Sequence, residues 1–137
     1  MFDKTKKKTL AQKLAMKVEP EGYLYLIHCV GFTYYKIGRT KNLKNRLQML
    51  QTGCPFDLNV IASVGSYNLI SNENYLHNLF KNKKARNEWF DFDNYEIDLI
   101  KLWFKHEDNR SVIDVIWRTN KTTEEKFSLA RWALGVT

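Results

Sequence analysis

The chain has 137 residues, 44% of them apolar and 14% aromatic, which suits one domain burying its own core without staples and argues against disorder. No window approaches the roughly 18 uncharged apolar residues of a membrane span. The N-terminal lysines lack the apolar run of a secretory signal, and the two cysteines, Cys29 and Cys54, fit neither a disulfide framework nor paired metal ligands. A reduced, cytoplasmic setting is therefore expected.

Charge placement says more than its total. The net charge is +7, and residues 1–20 carry six lysines against two acids. Lys36, Arg39, Lys41, Lys44 and Arg46 follow with no acid among them, then Lys81, Lys83, Lys84 and Arg86. Separated basic clusters with aromatics between them outline a polyanion binder. A solvated basic surface is the plain alternative.

In chain order, residues 1–20 read as a basic arm in which Thr9–Val18 forms a short helix stopped before Pro20. Tyr23–Val30 and Thr33–Gly38 read as strands of a hairpin turned at Gly31. Thr40 or Asn42 caps a helix to about Gln51, with Leu43, Leu47 and Leu50 at helical spacing and Gly53 and Pro55 just beyond it. Leu58–Val64 is a third strand, Ser71 to about Lys83 a helix, and Glu88–Phe92 a short last strand. Three helices follow, at Tyr95–His106, Ser111–Trp117 and Thr123–Leu134, the last with Thr122 and Glu125 in capping-box spacing. The expectation is an α+β fold, a small antiparallel sheet flanked by helices.

Several residues fit poorly with packing alone. Arg46 borders the apolar stripe of its helix, where an arginine either meets an anion or snorkels to solvent. Glu73, Leu76, His77 and Phe80 share one helix face. An inward carboxylate is costly unless paired or metal-bound, and glutamate oxygens suit Mg²⁺ or Mn²⁺. A capping role for Glu73 near Ser71 competes with that reading, and His77 alone reads more readily as a satisfied core histidine. The hairpin adds Tyr23, Tyr25, Tyr34, Tyr35 and Lys36, residues that also serve as ordinary strand core and rim. Taken together, phenol, ammonium, guanidinium and carboxylate are what a phosphodiesterase site needs.

Gly22-Tyr23-Leu24-Tyr25-Leu26-Ile27, then Tyr35-Lys36-Ile37-Gly38-Arg39-Thr40, then Asn42 to Leu47, resembles the GIY-YIG nuclease superfamily. More narrowly it resembles the phage-type and meiotically up-regulated branch with Lys-Ile-Gly in the second half-motif. Leu50 to Pro55, Glu73 with Leu76 and His77, and Arg86 with Glu88-Trp89-Phe90 continue that pattern in order. The resemblance implies a central three-stranded antiparallel sheet flanked by helices, with a nuclease domain over residues 21–93 and residues 94–137 as a helical extension packed on it. It implies that Tyr25 helps activate water, Arg46 steadies phosphate charge and Glu73 holds a single divalent ion. Lys36 stands where most of the superfamily has tyrosine; its ammonium would hold phosphate or lower the pKa of Tyr25. Leu50 replaces a position often occupied by a histidine or tyrosine base, which leaves His77 as the compensating candidate. Asn87 replaces a glycine and tolerates left-handed backbone.

The expected activity is metal-dependent endonucleolytic hydrolysis of DNA. Arg39, Lys41, Lys44, Lys81, Lys83, Lys84 and Arg86 would bind the backbone of the nucleic acid without reading sequence. The alternative is a non-catalytic nucleic-acid-binding or inhibitor module on the same fold. A third reading is a homodimer or a protein partner engaged through Trp103, Phe104, Trp117 and Trp132, residues that core packing also explains.

Overall fold

The computed structural model describes residues 9–11 and 20–136. Apart from residues 9–11, the arm and its helix lie outside that range. Strand β1 (Gly22–Cys29) pairs antiparallel with β2 (Tyr34–Thr40) on one side and with β3 (Leu58–Ser66) on the other. Helix α1 (Leu43–Thr52) joins β2 to β3, and α2 (Leu69–Leu79) follows β3. A single 3-10 turn at Lys81–Lys83 leads into β4 (Lys84–Arg86) and β5 (Trp89–Asp91). Helices α3 (Asn94–Lys105), α4 (Arg110–Trp117) and α5 (Thr123–Ala133) complete the chain.

The α+β class holds, but the sheet has five strands rather than three, in the order β3-β1-β2-β5-β4. β5 adds to the free edge of β2 by pairing Trp89 with Lys36 and Phe90 with Tyr35. β4 then folds back on β5 through Asn87, whose φ of 55° is the left-handed conformation that asparagine accepts. The helix expected from Ser71 to about Lys83 runs instead over Leu69–Leu79; Lys81–Lys83 form the 3-10 turn, and Lys84–Arg86 pair as a strand. Lys84-Ala85-Arg86 has no β-branched or aromatic residue, so it owes its strand to the neighbouring edge rather than to propensity.

Side-chain alternation on β1 explains the layering. Leu24 and Leu26 face a large core shared with Ile37, Phe90 and Phe92 and with the helices α2 to α5. Tyr25, Ile27 and Cys29 face the opposite way, under Leu43, Leu47 and Leu50 of α1. With both faces covered, β1 reads as an unbroken apolar run. In β3, Leu58 and Val60 pack on the α1 side whereas Ala62 and Val64 join the large core. The register shift opposite Leu26 and Ile27 accounts for the change, because one extra residue moves the following side chains to the other face.

Candidate active site

The site begins with a close approach between β1 and β2. Tyr25 pairs with Gly38, and its ring lies across the glycine. A Cβ at position 38 would fall 2.3 Å from the Tyr25 hydroxyl, so no larger residue fits while the ring stays in place. Asn42 caps α1 by accepting from the Asn45 backbone N–H at 3.0 Å, which fixes the first turn of the helix that carries Arg46. Arg46 Nε then donates to the Tyr25 hydroxyl oxygen at 3.4 Å.

Burial pushes the Tyr25 phenol above its ordinary pKa, and the hydrogen bond and charge of Arg46 only partly offset it. The expected lowering by Lys36 is corrected here. The Lys36 ammonium is buried and forms an ion pair with Glu88 instead, so Tyr25 is a neutral phenol at physiological pH. Burial alone would raise the Glu88 carboxyl. The hydrogen bond and charge of Lys36, with His77 and Arg46, outweigh it and hold Glu88 below the ordinary glutamate value.

Glu73 sits past the first turn of α2, which begins at Leu69, so the capping explanation lapses. Its side chain is largely buried and meets Arg39 at 3.5 Å. Tyr25, Arg39, Arg46, Glu73 and Glu88 together line a polar pocket of about 270 Å³. His77, one turn beyond Glu73, lies outside that lining. Its Nε2 is 2.8 Å from the Ile37 carbonyl oxygen, which can only accept, so Nε2 carries the proton. The ring packs edge-on against Phe90 at 5.1 Å between centroids. Glu88 and Gly38 carry more of the site than the sequence reading gave them. In the sequence Glu88 is marked only by its place directly before Trp89 and Phe90.

The other cations divide. Arg39 belongs to the pocket, Lys41, Lys44 and Lys81 are exposed, and Lys84 lies over the Phe90 ring. Lys83 is committed to the buried Glu96 at 3.1 Å. Arg86 lines a separate, largely apolar cavity with Leu50 and Trp89. Of the C-terminal aromatics, Trp103 and Phe104 are core, Trp117 packs against it, and Trp132 is 78% exposed.

Among the described residues no three His, Cys, Asp or Glu side chains form a metal cage. Two carboxylates facing one polar pocket do suit a hard cation such as Mg²⁺, which keeps most of its waters and binds one or two carboxylates beside a phosphate. Among the described residues no helix is long and apolar enough to cross a membrane.

Comparison with known families matches residues 22–105 to the T5orf172 domain, a domain of phage and mobile-element nuclease-like proteins related to GIY-YIG and HNH endonucleases. The matched stretch holds every residue of the polar pocket and extends into α3. No curated protein and no solved structure matches the chain.

Proposed function

The chain belongs to the T5orf172 domain family, and on that premise we propose that it is a metal-dependent endonuclease hydrolysing phosphodiester bonds in DNA, of the phage-type GIY-YIG branch with Lys-Ile-Gly in its second half-motif. The observation that carries the reading is the convergence of Tyr25, Arg39, Arg46, Glu73 and Glu88 on one polar pocket from β1, β2, α1, α2 and the β4–β5 turn. A fold with no use for that pocket would not place two carboxylates and two guanidiniums around a buried phenol.

Each residue then has a role. The Arg46 guanidinium, anchored on the Tyr25 oxygen, binds a non-bridging phosphate oxygen and offsets the charge that builds up during attack. Tyr25, kept protonated by burial, positions the attacking water through its hydroxyl rather than removing its proton. Glu88 is ionised and, held in position by Lys36 in the same pocket, orients the attacking water as a hydrogen-bond acceptor; its lowered pKa makes it too weak a base to replace the one missing at Leu50. Glu73 would be the ligand for a single Mg²⁺ or Mn²⁺, with Arg39 orienting its carboxylate. When bound, the ion supplies Lewis-acid polarisation of the phosphate. His77 is a positioning residue, tying α2 to the β2 backbone at Ile37. The exposed lysines 41, 44 and 81 bind the nucleic-acid backbone.

One observation favours the non-catalytic alternative. Leu50 is packed with Leu43 and Leu47 against the sheet, so nothing at that position can move a proton. A panel of labelled DNA substrates with Mg²⁺ or Mn²⁺ decides between the two. Cleavage by the wild type, reduced about 10²–10³-fold in Arg46→Ala, supports the nuclease. Salt-sensitive binding without cleavage of any substrate supports the binding module.

A further inference from the structure

Beside the polar pocket lies a second cavity of about 700 Å³, quite different in character. Phe32, Tyr34, Phe56, Met49 and Trp89 give it an aromatic and thioether lining; among the described residues Arg86 is the one charged side chain in the lining, and no carboxylate belongs to it. Phe32 and Phe56 are 42% and 46% exposed, and meet edge to face with centroids 4.6 Å apart. A cluster of exposed aromatics marks a binding surface more often than a stray surface residue does.

Its position narrows the occupant. Helix α1 supplies Arg46 to the polar pocket and Leu50, about one turn on, to the aromatic cavity. The consecutive residues Glu88 and Trp89 are divided between the two in the same way. The cavities are therefore neighbours sharing two walls, offset by about one helical turn along α1. The single cation Arg86 at its edge suits an anionic strand, and the exposed aromatics offer faces on which any base can stack.

Resting on the reading of the polar pocket as a phosphodiester site, we propose that the aromatic cavity takes an unstacked nucleobase of the same strand. The chain then engages single-stranded or extruded nucleotides in preference to an uninterrupted duplex, because a base held in a duplex stack cannot enter the cavity.

The test uses the full chain, without divalent metal, and short DNAs carrying 2-aminopurine, whose fluorescence is quenched on stacking. Phe32→Ala/Phe56→Ala removes two exposed rings outside the proposed catalytic set, and an abasic DNA removes the ligand's bases while leaving the protein untouched. The inference predicts quenching with single-stranded DNA, tighter binding of it than of duplex, and affinity about tenfold weaker both in the double variant and with abasic DNA. Salt dependence should be unchanged, since the phosphate contacts remain. Salt-sensitive binding that is equal for single-stranded, duplex and abasic DNA, with no quenching, overturns the base cavity and leaves the phosphodiester reading standing. No salt-sensitive binding of any DNA overturns that reading and the inference with it.

Discussion

Tyr25 and Gly38 show how closely the site depends on single residues. The phenol can cross β2 only where there is no side chain, so Gly38→Ala must displace either the ring or the strand. The glycine has no positive φ, so alanine meets no backbone strain and its effect is steric. The expected outcome is a stability loss of about 1–3 kcal/mol together with loss of cleavage, read from thermal melts and substrate assays on the same protein. Tyr25→Phe should keep the fold, because it removes only the hydroxyl, and lower cleavage about 10²-fold. The Lys36–Glu88 pair adds a pH dependence. Glu88 has a depressed folded pKa, so its contribution is present above the ordinary glutamate value of about 4.3 and is lost as pH falls through the lower folded value. Glu88→Gln should therefore destabilise the chain in urea unfolding at pH 7 and lose its effect in strong acid. The pairing itself was hidden in the sequence, because Lys36 and Glu88 become neighbours only when β5 joins β2.

Among the elements, those with strong local signals were legible and those made by their neighbours were not. Helix α1 announces itself through its caps, its leucine spacing and Gly53; of the two caps open in the sequence, Thr40 and Asn42, it is Asn42 that starts the helix, and the end falls one residue past Gln51. The capping box of Thr122 and Glu125 likewise marks α5. β4 gave no such signal, and the end of α2 was misplaced because no breaker follows Leu79. Asp93 and Glu96 form a second capping box, at the start of α3, whose spacing is masked in the sequence by the neighbouring acids Asp91 and Asp98. Since α1 presents Arg46, its cap bears on function as well as stability. Asn42→Ala should cost about 1 kcal/mol, a fall in melting temperature of roughly 3–4 °C. Asn42→Asp, which restores the acceptor, should recover it.

Across the whole molecule, the net charge of +7 is apportioned rather than spread evenly. Lys83 is tied to Glu96, while Lys41 and Lys44 lie exposed around the start of α1, close to Arg46 in sequence. Lys41→Ala/Lys44→Ala should lower the salt slope of DNA binding by about two; Lys83→Ala should change stability more than the slope, because it leaves a buried carboxylate without its cation. The fold class and the residues of the polar pocket, Glu88 excepted, could be read from ordered motifs, whereas the five-stranded sheet and the division of charges depend on contacts distant in sequence. Hydrolysis of a phosphodiester in the pocket of Tyr25, Arg46, Glu73 and Glu88, with a metal on Glu73, is read from the rate of Mg²⁺- or Mn²⁺-dependent cleavage of labelled DNA by wild type and Glu73→Gln, with melting and metal-free DNA binding measured on both. Cleavage by the wild type that is abolished in Glu73→Gln, with fold and binding intact, is the predicted result; equal cleavage by both proteins, or none by either, would contradict it.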